Sequence, residues 1–492
     1  MHTRRWGRAV RVPWALPAIL AVQAALSASM VRARTAFGDE ALYLSAGHLE
    51  WTHWLHGTPI PDYQTWFSGA PVLYPPIGAI ADGIGGLTAA RLLSLVFMLG
   101  VTAFLWGTAV RLLEDRRAAF FAAALFAVLA PTLHLGSFAT YDAPALLLLA
   151  AATWCAAQAR VRRRALCWIA GAGFLLALAN AAKYATALFD PTVVCVAFLA
   201  SLPGAGRPDA GRPDLGRPDP GRKEAASRAA VLAGTTAAVL AVLLALGGRG
   251  YLTGIDVTTT GRVSGTDPAS LVLTDAWSWT AVVLVPALAA VVVCVARRER
   301  SRALLLAVLA VTALLAPADQ ARIQTLTSLN KHVDFGAWFA AIAAGYLLSI
   351  LPRTRTLLAA SLGALVPAAV LGAIQARAMI DWPDTTRLVQ VVRPLTAHGG
   401  HFLVESGDIL QYYLPQTTWQ QWSTTAQNGN LAYYHRAIAQ HYYSVVVLDF
   451  DQTTAVDAAI GLALSQNSGY QLAAKVTSGQ TVFYVWDYAG RV

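Results

Sequence analysis

Two adjacent acidic residues stand just beyond the first long apolar run of the chain. Asp39 and Glu40 follow the apolar residues 12–31 after a short basic segment. Ionisable groups beside a membrane-crossing segment are costly to bury, so they are candidates for function. Two interpretations compete: the pair forms a solvated turn, or it is placed to accept a proton from a substrate.

Other residues of suitable chemistry fall on the same predicted side of the membrane as this pair. Carboxylates bind sugar hydroxyls, aromatic rings cover sugar CH faces, and cations hold phosphate through charge-assisted hydrogen bonds. The residues comprise one acid, five basic side chains and an aromatic-rich segment: Asp142, Lys183, Arg262, Arg322, Lys331, His332, Trp51, Trp54, Tyr63, Trp66, Phe67 and Tyr74. This mixture predicts a site for a sugar and a phosphate.

Each of these residues also has a structural interpretation, which stays open from the sequence. Asp142 precedes Ala143-Pro144, a helix-start signal, and so suits a capping role. Lys183 suits snorkelling at the end of a membrane span. Arg262 lies in a polar loop, while Lys331 and His332 suit an anchor at the membrane interface.

Composition predicts a membrane protein of many spans. Of 492 residues, 56% are hydrophobic and only 13% are charged, whereas soluble domains average roughly 25% charged residues. Apolar runs of membrane-crossing length recur along the chain. The net charge of +10 comes from arginine clusters between these runs, which is the positive-inside pattern and does not indicate nucleic-acid binding.

The arginine clusters predict eleven spans, with a cytoplasmic N-terminus after Arg4, Arg5, Arg8 and Arg11. The first run is predicted to be an uncleaved span. The four cysteines predict neither a disulfide framework nor a thiolate metal site. The predicted spans are bounded approximately by residues 12–31, 87–113, 117–134, 142–160, 165–183, 184–202, 229–247, 275–296, 303–318, 333–352 and 356–375.

Two segments differ in composition from the spans. Residues 203–228 contain a five-residue repeat, GRPDA-GRPDL-GRPDP-GRKEA, whose proline and glycine content predicts a disordered cytoplasmic linker. Residues 379–492 alternate short β-rich runs with helical stretches at 431–441 and 454–466. They predict an extracytoplasmic α/β domain whose central strand, 443–449, is apolar on both faces. The transmembrane domain is predicted to cover residues 1–378.

Five motifs in order along the chain resemble the GT-C superfamily of polyprenyl-phosphate-dependent glycosyltransferases. The resemblance is to the family 39-like branch that contains protein O-mannosyltransferases and lipid A aminoarabinose transferases. It is good over residues 1–200 and looser over residues 200–375. The motifs are Asp39-Glu40, Tyr74-Pro75-Pro76-Ile77, Ala90-Arg91-Leu92-Leu93-Ser94, Ala139-Thr140-Tyr141-Asp142-Ala143-Pro144 and Ala182-Lys183-Tyr184.

This resemblance implies a role for each candidate residue. Asp39 takes the position of the catalytic base, Glu40 that of its partner, and Asp142 that of a second acid. The family often has a lysine before the paired prolines, where this chain has Tyr74. The donor phosphate contacts are therefore expected from Lys183, Arg262, Lys331 and His332, and the substrate-lining residues are expected to be Tyr74, Tyr141 and Tyr184.

The implied function is an inverting glycosyl transfer from a polyprenyl-phosphate sugar to a glycan, lipid or protein acceptor. The enzyme would be a hexosyl- or pentosyltransferase in a bacterial plasma membrane, with its C-terminal domain extracytoplasmic. A divalent metal held by Asp39 and Asp142 stays open, and no other cofactor is expected. The alternatives are a transporter or lipid flippase, which would show mid-span charges or internal repeats, and a non-catalytic assembly protein.

Overall fold

A computed structural model describes residues 14–159, 164–202, 221–352, 354–405, 407–426 and 429–490, with only the backbone for residues 355–362. Most of the predicted linker, residues 203–220, lies outside this description. Nineteen α-helices are described, besides a few short 3₁₀ and π segments. They are α1 (Ala15–Ala28), α2 (Gly38–His56), α3 (Tyr74–Leu113), α4 (Arg116–Ala127), α5 (Ala130–Leu135), α6 (Asp142–Gln158), α7 (Ala165–Ala182), α8 (Asp190–Leu199), α9 (Arg222–Gly247), α10 (Arg249–Ile255), α11 (Ala269–Ala296), α12 (Arg300–Thr312), α13 (Leu315–Arg322), α14 (Leu329–Ile350), α15 (Arg355–Ala378), α16 (Thr386–Thr396), α17 (Gly407–Tyr413), α18 (Leu431–Ala439) and α19 (Thr454–Gln466).

Six helical segments in the described part of the chain are long and apolar enough to cross a bilayer. They are Tyr74–Leu113, Ala165–Ala182, Arg222–Gly247, Ala269–Ala296, Arg300–Arg322 and Leu329–Ile350. Each overlaps a predicted span, so the multi-span helical architecture is confirmed, although the first begins well before the predicted residue 87. The other five predicted spans fall on shorter or interrupted helices or on a partly described one, and the total of eleven stays a prediction.

Glycine and proline explain where the helices bend or break. Helix α3 is non-helical at Gly85 and Gly86, and the φ of +64° at Gly86 is favourable only for glycine. The predicted third span is broken between α4 and α5, where Pro131 stands in the first turn of the second helix. Proline suits that position because its missing N–H has no partner there in any helix.

The segment that follows the first apolar run is helical, whereas the sequence predicted a loop there. Helix α2 has Asp39 and Glu40 in its first turn and His53 and His56 in its last, an arrangement that complements the helix dipole. It ends at Gly57, whose φ of +68° is left-handed. These start and stop signals were present in the sequence, and the density of aromatic residues obscured them.

The described chain divides into two compact units. The first comprises residues 1–31, 61–73 and 91–379, of which residues 1–13 and other short stretches lie outside the description. In its core, α14 packs against α4 and α11. A Cβ at Gly345 would collide with the carbonyl oxygen of Ala118, so this glycine permits the close approach of α14 and α4.

The second unit comprises residues 32–60, 74–90 and 380–492. Its strands are β1 (His401–Val404), β2 (Trp422–Thr424), β3 (Tyr443–Leu448), β4 (Tyr470–Ser478) and β5 (Thr481–Tyr488). The sheet order is β2-β1-β3-β5-β4; β1 is parallel to β2 and β3, and β5 is antiparallel to β3 and β4. Strand β3 is buried along its whole length, which confirms the predicted central strand.

The end of the predicted linker is helical. Helix α9 begins at Arg222, so residues 222–228 belong to this helix and not to the linker. The sequence KEAASRAAVLA contains no proline and is rich in alanine, which favours a helix as soon as the proline repeat ends.

Candidate functional site

A buried ion pair in the first unit joins the start of α6 to the residue that follows α7. The Lys183 ammonium lies 2.5 Å from a carboxylate oxygen of Asp142, and the two side chains are 4% and 0% exposed. The other oxygen of Asp142 accepts a hydrogen bond from the Thr140 hydroxyl at 3.0 Å. The ammonium also lies 4.9 Å from the centre of the Tyr141 ring. The sequence-predicted residues Asp142, Lys183 and Tyr141 are therefore in direct contact.

Local chain geometry explains how these side chains meet. Asp142 is the first residue of α6, and no side-chain capping bond closes the start of that helix, so its carboxylate serves Lys183. Lys183 follows the last residue of α7 in an extended conformation. Backbone hydrogen bonds tie this segment to the loop before α3, from Tyr184 N–H to the Ser68 carbonyl at 2.9 Å and from Ala70 N–H to the Ala181 carbonyl at 2.7 Å.

A cavity of about 770 Å³ lies in the first unit, within the size range of ligand sites. Most of its wall is apolar and comes from α7, α9, α10 and neighbouring segments. The wall includes three basic residues that were predicted from the sequence, Lys183, Arg262 and His332. It also includes the predicted residue Tyr184. Four of the residues predicted to contact phosphate or substrate therefore meet at one cavity.

Lys331, unlike Lys183, Arg262 and His332, does not border the cavity. It is 5% exposed, and its ammonium lies 5.6 Å from the centre of the Phe138 ring. Lys331 and His332 are electrostatic neighbours of Asp142, and the Lys331 ammonium adds positive charge near the ion pair.

Asp39 and Glu40 belong to the second unit and differ from each other in burial. Glu40 is fully buried, and its carboxylate accepts a hydrogen bond at 3.1 Å from the backbone N–H of Phe37. This contact caps the start of α2. Asp39 is half-buried in the same first turn, where it remains the more accessible of the two carboxylates.

Residues far along the chain hold the segment that precedes Asp39. The backbone N–H of Ala36 donates to the Tyr413 hydroxyl at 2.8 Å, and the Trp382 indole donates to the Thr35 carbonyl at 2.9 Å. The backbone N–H of Thr385 donates to the Thr35 hydroxyl at 2.9 Å. The position of Asp39 therefore depends on the C-terminal part of the same unit.

A group of titratable residues near this helix was not predicted from the sequence. Asp82 accepts hydrogen bonds from the Tyr412 hydroxyl at 2.6 Å and shares one with His48 at 2.7 Å. Helix α17 packs on α2, and burial together with the negative charge of Asp39 raises the pKa of Asp408 to about 6. No local sequence signal identifies these residues, since the contacts join segments that are distant in the chain.

Tyr74 is the remaining predicted site residue. It is the first residue of α3 and 2% exposed, and its ring packs near Gly78 one turn along the helix. It belongs to the second unit, whereas Tyr141 and Tyr184 belong to the first.

One group of three carboxylates in the described residues has spacing suited to a metal ion. Oxygens of Glu405, Asp449 and Asp457 lie within 4.8 Å of one another, and none of them was a predicted ligand. Glu405 instead accepts backbone N–H groups of the loop after β3, including Asp451 at 3.1 Å and Thr453 at 2.5 Å. Asp457 accepts the backbone N–H of Phe450 at 3.1 Å. These bonds give the cluster a structural role in closing that loop.

This cluster yields a prediction for stability against pH. Burial and the adjacent Glu405 raise the pKa of Asp449 to about 9, so the folded chain keeps a proton that the unfolded chain releases near pH 4. Stability from this group is present at low pH and declines as pH rises towards 9. We expect Asp449→Asn, whose amide still donates to Glu405, to reduce the fall in thermal midpoint between pH 6 and 9.

The control for that prediction is Asp381→Asn, an exposed acid of the same unit that lies outside this cluster. Thermal unfolding of the purified chain should show the wild-type pH dependence for this control. An equal fall in midpoint for Asp449→Asn and wild type would contradict a proton held at Asp449.

Part of the chain matches a known protein family. The family described as dolichyl-phosphate-mannose-protein mannosyltransferase matches residues 79–207. No curated protein matches the sequence. Solved structures of similar fold exist, although their sequence identities to this chain are low.

Two such structures span nearly the whole chain. The first is ArnT from Cupriavidus metallidurans bound to undecaprenyl phosphate, with a TM-score of 0.58 and 13% identity, covering 96% of this chain and 98% of that one. The second is the archaeal oligosaccharyltransferase AglB from Archaeoglobus fulgidus, in complex with an inhibitory peptide and a dolichol-phosphate. Its TM-score is 0.56 at 14% identity, covering 93% of this chain and 73% of that one. These similarities confirm the fold predicted from the motifs.

Proposed function

We propose that this chain, which has the fold of the GT-C membrane glycosyltransferases, transfers a sugar from a polyprenyl phosphate to an acceptor hydroxyl. The observation that carries the proposal is the cavity of the first unit, which combines a largely apolar wall with Lys183 and Arg262. Apolar walls suit a prenyl chain, and the two cations suit its phosphate. The undecaprenyl phosphate bound to the ArnT structure supports this ligand class.

The proposed reaction is a single displacement. Asp39 accepts the proton of the acceptor hydroxyl while the acceptor oxygen forms a bond to the anomeric carbon. The bond from that carbon to the phosphate oxygen breaks, and its electron pair leaves with the polyprenyl phosphate. Lys183 and Arg262 stabilise the developing negative charge. Attack opposite the leaving group inverts the anomeric configuration.

Glu40 and Asp142 then have supporting roles. Glu40 fixes the first turn of α2, which carries Asp39, through its bond to Phe37. Asp142 orients Lys183 through the buried ion pair, and its negative charge offsets the cost of burying that ammonium. Lys331 contributes positive charge near the ion pair, and His332 contributes a ring to the cavity wall. Tyr141 and Tyr184 contribute the aromatic surface near Lys183.

A divalent metal fits this arrangement poorly at Asp142. Both oxygens of that carboxylate already contact Lys183 or Thr140, whereas a metal ligand needs a free lone pair directed at the ion. A structure of the Archaeoglobus oligosaccharyltransferase was obtained in complex with zinc and sulfate. The reaction proposed for this chain contains no metal step.

The proposed setting is a bacterial plasma membrane, with the N-terminus cytoplasmic and the domain of residues 379–492 extracytoplasmic. The arginine clusters between spans support this orientation. The acceptor is a glycan, a lipid or a protein. Because Trp382, Thr385 and Tyr413 bond the segment before Asp39, the C-terminal domain is proposed to serve catalysis as well as acceptor binding.

The test is binding of undecaprenyl phosphate to the purified chain in nanodiscs. We expect Arg262→Gln to weaken binding by about 10–100-fold, because a hydrogen bond to a charged group contributes roughly 1.5–3 kcal/mol. Arg387→Gln, which removes an exposed cation on α16, is the matched control and should bind as wild type does. Absence of binding by the wild-type chain, or equal affinity for Arg262→Gln, would contradict the assignment of the cavity.

A further inference from the structure

Helix α17 brings a further carboxylate to the start of α2, within the second unit. The two helices pack on each other, and the Tyr413 hydroxyl of α17 accepts the backbone N–H of Ala36, two residues before α2 begins. Asp408 of α17 is half-buried and is an electrostatic neighbour of Asp39. The turn that carries Asp39 therefore has a second acid beside it, supplied by the C-terminal part of the chain.

A second anchor holds the face of α17 that carries Asp408. Tyr412 lies four residues further along and so on the same face of the helix. Its hydroxyl donates to the Asp82 carboxylate of α3 at 2.6 Å, and the same carboxylate is hydrogen-bonded to His48 of α2 at 2.7 Å. Hydrogen bonds to α2 and α3 therefore fix the orientation of Asp408.

The position of α17 in the sheet topology also favours a functional role. The helix begins at Gly407, directly after β1 ends at Val404, and β1 is parallel to both of its neighbours. Functional sites of α/β sheets form outside the carboxyl ends of parallel strands. Asp408 is carried at this edge of the sheet.

The charges around α17 leave Asp408 and Asp39 to act on each other. The titratable and charged groups on the surrounding elements are Arg34 before α2; Asp39, Glu40, Tyr43 and His48 on α2; Asp82 on α3; Arg393 on α16; Glu405 before α17; and Tyr412 and Tyr413 on α17 itself. Among these, the charge that acts on Asp408 is the negative charge of Asp39. No ion pair within the described residues includes Asp408.

We propose that Asp408 is a positioning residue of the transfer site, whose negative charge favours uptake of the acceptor's proton by Asp39. This inference rests on the proposed function and adds a regulation of the same site by pH. Asp408 forms and breaks no bond, since the proton still passes from the acceptor hydroxyl to Asp39. An anion beside Asp39 stabilises the protonated carboxyl that results.

The charge state of Asp408 sets the pH range of this assistance. Burial and the negative charge of Asp39 raise the pKa of Asp408 to about 6. Asp408 is therefore an anion above about pH 6 and assists Asp39 there, whereas below that pH it gains a proton and the assistance is lost.

The test uses a detergent extract of membranes from cells that carry Asp39→Asn, which holds lipid-linked sugars together with the native acceptor. Purified wild type or Asp408→Asn is added, and mass spectrometry follows the loss of each lipid-linked sugar. Asparagine mimics the protonated acid, so we expect the two proteins to react alike at about pH 5. Wild type should be roughly 3–10-fold faster at about pH 8, because only wild type then has the assisting charge.

Two further variants separate charge from fold. Asp62→Asn, which removes an exposed acid in the loop after α2, is the matched control and should follow wild type at every pH. Asp408→Glu restores the carboxylate and should regain the rise in rate with pH. A ratio of wild-type rate to Asp408→Asn rate that is the same at low and high pH would mean a role in the fold alone, and would overturn the inference.

A second measurement needs no substrate. Because the folded chain holds the proton of Asp408 at higher pH than the unfolded chain does, stability from this group is present at low pH and declines between about pH 4 and 6. Asp39→Asn removes the repelling charge and should reduce this decline in thermal midpoint, but should do so less in the Asp408→Asn background. Equal effects in both backgrounds would mean that the two carboxylates do not interact, and would overturn the inference.

The two proposals fail in different ways. If wild type consumes a lipid-linked sugar and Asp408→Asn matches it at every pH, the role of Asp408 is wrong and the proposed function stands. If wild type consumes no lipid-linked sugar of the extract, the proposed function is contradicted, and the inference with it.

Discussion

The substitution Asp39→Asn is expected to lower the rate of glycosyl transfer by about 10²–10⁴-fold, the contribution typical of a positioned general base. Asparagine is close in shape to aspartate but cannot accept the acceptor's proton as it attacks. Asp39 lies in the first turn of α2, half-buried, where the substitution leaves the buried Glu40 cap in place. Affinity for undecaprenyl phosphate should not change, because no proton is transferred in binding.

The measurement is single-turnover transfer by purified protein under saturating donor. Asp62→Asn, an exposed acid in the loop after α2, is the matched control and should keep the wild-type rate. Asp39→Glu should recover part of the lost rate, because it restores a carboxylate base on a side chain that is longer by one methylene group. A rate within about threefold of wild type for Asp39→Asn, well below the span expected for general-base catalysis, would remove Asp39 from the chemistry.

The substitution Lys183→Met is expected to have the second large effect, on stability as well as on activity. The change leaves Asp142 as a buried carboxylate without its ammonium partner. Breaking a buried ion pair by removing one partner costs about 3–5 kcal/mol. We therefore expect a lowered thermal midpoint together with lost donor binding.

A double variant separates these two roles of Lys183. Lys183→Met combined with Asp142→Asn removes both charges, and should recover most of the thermal midpoint because no unpaired charge remains. Donor binding should stay weak, since the phosphate contact is still absent. An unchanged thermal midpoint for Lys183→Met would contradict the dependence of Asp142 on Lys183. Wild-type affinity of the double variant for the donor would contradict the phosphate contact.

Sequence reasoning was sufficient where the signal is local and periodic. Apolar runs predicted the six helical segments that are long enough to cross a bilayer, and the buried run Tyr443–Leu448 identified the central strand. The three-residue strand Trp422–Thr424 was missed, because a segment this short carries no alternation to detect. Helix α16 was missed as well, although its amphipathic pattern is present in the sequence.

The site could be predicted only in part, for a physical reason. Motif order placed Asp142 and Lys183 on one predicted side of the membrane, but their contact depends on how α6 and α7 approach, which no local pattern encodes. Residues such as Tyr413 and Asp408 reach the start of α2 from nearly the other end of the chain, beyond any spacing argument.

The central claim is that this chain consumes a polyprenyl-phosphate sugar, and one measurement tests it most directly. Mass spectrometry of polyprenyl-phosphate sugars would compare cells carrying wild type with cells carrying Asp39→Asn at equal protein level. The account predicts that one lipid-linked sugar accumulates in the variant, and its mass identifies the donor. An unchanged set of lipid-linked sugars, with the variant protein present in the membrane, would contradict the account and favour a transporter or an assembly protein.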